Sequence, residues 1–190
     1  MNNGKILIHI CCGICGAYVI EKLKLEFGEL VLFFYNPNIH PKEEYLRRFE
    51  VAEKLSKIYD ILLIAGDYNS EKYFEAVRGY EEELEGGARC SICFRLRLNE
   101  TAKTAKENNC DCFTTTLTMG SSKRAEIINK IGKEEAEKFG IKFREDDFKK
   151  KDGFKKTMEI AKKYNFYRQN YCGCVYSKME REVYDKNKNR

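Results

Sequence analysis

Seven of the chain's nine cysteines fall into three tight groups: Cys11, Cys12 and Cys15; Cys90 and Cys93; Cys172 and Cys174. Thiols kept only for their hydrophobicity scatter singly through a core, so grouping at these spacings points to metal binding or redox chemistry. Cys11-Cys12 and Cys90-x-x-Cys93 together offer four thiolates, a set that suits tetrahedral zinc or an iron–sulfur cluster. Structural zinc prefers a few residues between paired ligands. Adjacent cysteines point different ways and more naturally reach different irons of a larger cluster. Cys15 is then left beside that site, free to bind a second metal, to gate a substrate or to assist redox. Cys12-x-x-Cys15 also has thioredoxin spacing, but such a site needs a cis-proline on a later strand, and the only prolines are Pro37 and Pro41. A disulfide across the single glycine of Cys172-Gly173-Cys174 would depart from relaxed geometry, and a strained bond of that kind is labile. A redox-active pair, an extra pair of metal ligands and two idle thiols all fit this spacing. Cys110 and Cys112 read as the entry to a strand, and as a second C-x-C pair they remain an alternative set of metal ligands.

These side chains need elements to position them. Ile6 to Ile10 is an apolar, β-branched run that reads as a central strand buried on both faces. Apolar residues at helical spacing follow over Gly16 to Phe27, stopped by Gly28. Leu30 to Tyr35 and Ile61 to Ala65 are further strands, separated by a helix that starts at Pro41 and carries Tyr45, Phe49, Ala52, Leu55 and Tyr59 on one stripe. Short helices follow from Asn69 and from Cys90 or Ser91. Cys112 to Leu117 is a fourth strand, Ser121 or Ser122 caps a helix running to Phe139, and Ile141 to Phe143 is a fifth strand. A last amphipathic helix covers Phe154 to Tyr164, and the tail after about residue 178 is helical and then frayed. Strands alternating with helices predict an α/β fold: one domain over residues 1–190, with a mostly parallel, Rossmann-like sheet of five strands flanked by helices. In such sheets ligands gather beyond the carboxyl ends of the strands, where Cys11, Cys12 and Cys15, then Tyr35 to Asn38, Gly66-Asp67 and Thr116 to Ser122, all fall.

Composition narrows the setting. No stretch approaches the about 18 apolar residues of a membrane span, and the first apolar run is too short for a signal peptide. The expectation is a cytoplasmic chain with reduced thiols and no membrane partner. The 35 basic and 30 acidic residues leave a formal charge of +5, too small an excess to imply nucleic acid by itself. Its distribution says more: Lys149 to Lys163 is lysine-rich and interleaved with Phe148, Phe154, Tyr164, Phe166 and Tyr167. A solvated helix face explains the lysines; phosphates and splayed RNA bases explain lysines and aromatics together.

His9-Ile10-Cys11-Cys12-Gly13-Ile14-Cys15, Tyr35-Asn36-Pro37-Asn38-Ile39-His40-Pro41 with Glu44-Tyr45 and Arg48, Arg89-Cys90-Ser91-Ile92-Cys93-Phe94-Arg95-Leu96-Arg97, Phe113 to Leu117, and Tyr167-Arg168-Gln169-Asn170-Tyr171-Cys172-Gly173-Cys174 occur in that order. This succession resembles the cobalamin-independent epoxyqueuosine reductases, the QueH family. The chain departs from the family's pattern at Ile14, where proline is common, and near Ser121-Ser122, where a Ser-Pro pair is common. The resemblance implies a fold like the nucleotide-binding HUP type, with a helical insertion and a C-terminal helical segment. It also implies the last step of queuosine synthesis on tRNA carrying epoxyqueuosine at the anticodon wobble position: reduction of a cyclopentane epoxide to the alkene, with electrons from a separate donor.

Further implications of the resemblance are a [4Fe-4S] cluster on Cys11, Cys12, Cys90 and Cys93, a redox-active Cys172–Cys174 pair, and an additional mononuclear iron for which Cys15 and Asp67 are the candidate ligands. His9, Tyr35 and His40 are candidate proton donors to the leaving oxygen, although a histidine on an apolar strand is more often a packed core residue. Lys149, Lys150, Lys155, Arg168 and Gln169 are the expected tRNA contacts. Two other classes compete. A zinc-stabilised RNA-binding module predicts colourless protein, and a nucleotide-activating tRNA thiolase needs a glycine- and serine-rich phosphate loop where this chain has cysteines.

Overall fold

A computed structural model describes residues 4–120 and 123–188. Five strands form one sheet: β1 (Lys5–His9), β2 (Glu29–Phe34), β3 (Leu62–Ala65), β4 (Cys112–Thr115) and β5 (Lys142–Phe143). Every pairing is parallel and the order is β3-β2-β1-β4-β5. β1 is central, and Ile6, Leu7 and Ile8 are wholly buried, as an unbroken apolar run on a two-sided sheet requires. The helices are α1 (Gly13–Leu23), α2 (Lys42–Tyr59), α3 (Ser70–Ala76), α4 (Ala88–Glu107), α5 (Ala125–Phe139), α6 (Gly153–Lys163) and α7 (Val175–Lys188). α1 packs against α2 and α6, while α4 packs against α5, β1 and β4.

The order fixes where a ligand goes. The chain leaves β1 towards β2 on one side and later returns through β4 on the other. The carboxyl ends of β1 and β4 therefore flank the point where the winding reverses, and that crevice is where open α/β sheets bind ligands.

Boundaries differ from the sequence reading in ways that matter at this crevice. α1 begins at Gly13 instead of Gly16, with Cys12 extended at its cap (φ −165°, ψ 154°), so Cys15 lies in the first helical turn. Such an early start brings α1 close to α2: a Cβ on Gly13 would lie 2.5 Å from Val51 Cγ1. β4 ends at Thr115, because its Oγ1 accepts from Leu117 N at 3.1 Å and opens a 3-10 turn over Thr116–Met119. α4 begins at Ala88, which places both Cys90 and Cys93 in its first turns. α5 begins at Ala125; the expected caps Ser121 and Ser122 lie outside the described residues.

Candidate metal and redox site

Cys11 follows β1 at the crevice, where its backbone N–H donates to Thr116 Oγ1 at 3.4 Å and ties it to the end of β4. The thiols of Cys11, Cys12 and Cys15 lie within 4.8 Å of one another. Among the described residues no other group of three Cys, His, Asp or Glu ligand atoms is so compact. Cys15 thus joins the first pair. Hydrogen bonds from the Cys12 and Cys15 thiols hold Cys11 well below the usual thiol range, and hydrogen bonding within the group pushes Cys12 up to about 11 and Cys15 well above the usual range. Three thiols in one compact group make a site suited to a metal, which they would bind as thiolates.

Cys93 is buried against Tyr73, Val77 and Cys174 in a small satellite core, and burial pushes its thiol up to about 12. Cys90 is half-buried and accepts from Gly86 N at 3.2 Å. What joins this pair to the triad is a pair of buried cations. Arg97, 1 % exposed, lies in electrostatic reach of Cys93, Cys172 and Cys11; burial opposes its charge, and these sulfurs outweigh burial. Its Nη1 donates to Asn36 Oδ1 at 3.2 Å, and Asn36 Nδ2 in turn donates to the Ile10 carbonyl at 2.9 Å. Its Nη2 is buried without a partner. Lys123 is buried in the same reach of Cys172, Cys11 and Cys15 and keeps its proton more tightly than usual for the same reason. An unpaired guanidinium nitrogen and a buried ammonium in reach of Cys11, Cys15, Cys93 and Cys172 fit an anionic thiolate-bound cluster, which would supply the charge they lack.

The tail closes the crevice. Cys172 lines a cavity of about 500 Å³ together with Cys11, Cys15, Lys123, Gln169 and Tyr184. It also lines the narrow cleft that contains Cys90. Gly173 sits at φ +138°, a conformation that favours glycine. Its carbonyl accepts from His40 N at 2.8 Å, and Arg48 donates to the carbonyls of Cys172 and Tyr171 at 2.8 and 3.2 Å. Arg48 is itself fixed by Glu44 at 2.6 Å. Cys174 caps α7: its sulfur accepts from Ser177 N at 3.4 Å.

Other expected site residues have different surroundings. His9 is wholly buried: Nε2–H donates to the Tyr35 carbonyl at 3.1 Å, leaving Nδ1 to accept from the Thr115 hydroxyl at 2.8 Å. Burial, with Arg97 nearby, lowers its pKa to about 3. The ring is a neutral brace across β1, β2 and β4, with neither nitrogen open to a substrate, which corrects its expected role as proton donor. Burial pushes the Tyr35 phenol up to about 12. Asp67 is exposed, near Tyr35 and Tyr45, and outside the compact thiol group; its pairing with Cys15 as a ligand is corrected accordingly. Gln169 turns inward and donates to Cys12 Sγ at 3.1 Å. Lys149 donates to the Lys123 carbonyl at 2.8 Å, while Lys150, Lys155 and Arg168 are exposed. Sequence reasoning misses Arg97, Lys123 and Asn36 as functional residues. Arg97 lies inside the Cys90–Cys93 segment, but nothing in the spacing says that its charge points at sulfur.

The profile of the family described as "Epoxyqueuosine reductase QueH" matches residues 6–180. Proteins of that description from Staphylococcus epidermidis and Streptococcus pyogenes serotype M1 are 37% and 39% identical; the alignments cover 94% and 91% of this chain and 78% and 70% of theirs. One from Thermotoga maritima is 36% identical over 94% of this chain and 92% of its own length. Among solved structures, the U34-tRNA thiolase NcsA from Methanococcus maripaludis with its [4Fe-4S] cluster superposes with a TM-score of 0.56, covering 100% of this chain and 68% of the other at 15% identity. That likeness shows the fold alone. No helix among the described residues is long and apolar enough to cross a membrane.

Proposed function

The chain belongs to the epoxyqueuosine reductase QueH family, and from that membership we propose how its own residues carry out the reduction. The chain is an oxidoreductase of queuosine biosynthesis: the epoxide of epoxyqueuosine in tRNA takes up two electrons and two protons, yielding the alkene and water. The observation that carries the mechanism is the cavity at the reversal point of the sheet, whose wall contains Cys11, Cys15, Lys123 and Cys172 together.

Cys11, Cys12, Cys90 and Cys93 would hold a [4Fe-4S] cluster, and the Cys15 thiol lies within 4.8 Å of those of Cys11 and Cys12. Such a cluster supplies electrons singly at low potential. Asn36 and Arg97 tie the end of β1 to α4, the two elements that carry the proposed ligands. Lys123 presents a fixed positive charge in the cavity wall, where the oxygen leaving the epoxide gains negative charge. Cys172 and Cys174 are the two-electron store. As a dithiol they release two electrons and two protons on forming their disulfide, which balances the epoxide half-reaction; an external donor then restores the dithiol. The tRNA lies across the exposed Lys150, Lys155 and Arg168, and the modified base swings out of its stack to reach the cavity.

The test is anaerobic. Protein prepared without oxygen should be brown, with iron and sulfide in equal amounts, and should convert epoxyqueuosine to queuosine in tRNA from a strain lacking the activity, read as loss of one oxygen by mass. Colourless zinc protein without turnover would favour the RNA-binding module instead.

A further inference from the structure

Beside the large cavity is a smaller one of about 100 Å³, with Cys15, Met119, Phe154 and Gln169 as shared walls. Its other sides are Ile14 from α1, Thr157 and Met158 from α6, and the arginine Arg168. Two polar atoms in its lining are buried with no hydrogen-bond partner, Thr157 Oγ1 and Gln169 Oε1. Thr157 is only 2 % exposed. Gln169 cannot turn its oxygen elsewhere without giving up the bond from Nε2 to Cys12 Sγ at 3.1 Å. Leaving one buried polar atom unpaired costs free energy, and two in one small pocket call for a ligand that pairs them.

We propose that this pocket is the subsite for the hydroxyl-bearing edge of the substrate's cyclopentane ring. The proposal rests on the reductase reading. The ring of epoxyqueuosine carries two neighbouring hydroxyls beside the epoxide. Gln169 Oε1 accepts from one of them, and the Thr157 hydroxyl pairs with the other as donor or acceptor. The apolar walls cover the ring's carbon face. Because Cys15 belongs to both cavities, a ring seated this way turns its epoxide edge toward the thiols. Phe154, 50 % exposed and also common to both, offers its face to the attached base at the mouth. A site that hydrogen-bonds a substrate hydroxyl rejects analogues lacking it far more strongly than an apolar pocket rejects a missing methylene. Thr157 and Gln169 are thus specificity residues, distinct from the groups that deliver electrons.

The test uses Thr157→Val, which keeps shape and removes only the hydroxyl, with Thr157→Ser as the conservative control. In the anaerobic holoenzyme, Thr157→Val should lower kcat/KM on epoxyqueuosine tRNA at least tenfold, with iron content and tRNA affinity unchanged, while Thr157→Ser stays within threefold of wild type. Tm of Thr157→Val should equal or exceed that of wild type, because an unpaired buried hydroxyl has been removed. A separate arm needs no turnover: cis-cyclopentane-1,2-diol should give a saturation-transfer NMR signal with wild type that Thr157→Val loses. A Thr157→Val enzyme within twofold of wild-type kcat/KM, a lowered Tm, or equal diol signals from both proteins would overturn the subsite. If wild type shows no turnover but the diol signals still differ, the reductase reading fails while the polyol pocket stands.

Discussion

Cys11-Cys12-x-x-Cys15 and Cys172-Gly173-Cys174 reach the same rim by different means. The first group is placed by its own neighbours: a strand ends, a cap residue stays extended, and a helix starts one residue later. The contacts with Thr116 and Gln169 come from far along the chain, but they are made to cysteines that the strand and helix have already placed. The second group has no strand to aim it. Its backbone is held by Arg48 and by the His40 N–H, contributed by segments more than a hundred residues earlier, and the Tyr171 hydroxyl closes the loop on the His40 carbonyl at 2.8 Å. The first cysteine group is thus built into the fold, while the second is latched onto it. A latched pair can be disturbed without dismantling the sheet, and that separates tests of the two regions.

The sharpest contrast comes from removing sulfur at the built-in site. Cys11→Ala or Cys93→Ala should lose most iron and sulfide and all turnover; full occupancy in either, by metal analysis, breaks the assigned ligand set. Next is the latch. Arg48→Met strands Glu44 as a buried charge, and breaking a buried ion pair costs about 3–5 kcal/mol, so chemical denaturation should show a stability loss of that order, with accelerated proteolysis after Tyr171. A change confined to activity would show that Arg48 does not anchor the tail. Gly173→Ala introduces a Cβ 3.1 Å from both Arg48 Nη1 and Ile39 Cγ1 at positive φ. About 1–3 kcal/mol of strain is expected, with iron content unchanged. Cys172→Ser should leave stability and iron near wild type and slow multiple turnover, and undiminished rates with the physiological reductant would remove the dithiol from the mechanism. Smallest of all, Lys150→Ala with Lys151→Ala should leave the chemistry intact and make tRNA binding less salt-dependent, the slope falling by about one for each phosphate no longer neutralised.

The same contrast explains what the sequence makes legible. The parallel sheet, its strands and the placement of the first cysteines follow from apolar runs and local stop signals, because those features act within a few residues. Sequence spacing sets Cys15 apart from Cys11 and Cys12 because it starts the helix three residues late, after that thiol instead of before it. His9 reads more often as a core residue than as an acid; its partners Tyr35 and Thr115 lie on two other segments of the sheet edge, so only the assembled sheet decides. Gln169 reads as facing RNA, because a polar residue next to basic and aromatic ones gives no sign of turning inward to a sulfur 157 positions away. Asp67 falls at the correct sheet edge, but β3 is the outermost strand, and its end lies away from the crevice between β1 and β4.

The buried pair Arg97 and Lys123 has a thermodynamic corollary. Without an inorganic anion to neutralise, two desolvated cations repel each other across the site. Assembly of the holoprotein and folding are then linked equilibria, with whatever occupies the crevice contributing to the free energy of the native state. Oxygen damage should therefore register as a lowered melting temperature as well as bleached colour, and a cell short of iron or sulfide would accumulate less of this protein, not merely an inactive form of it.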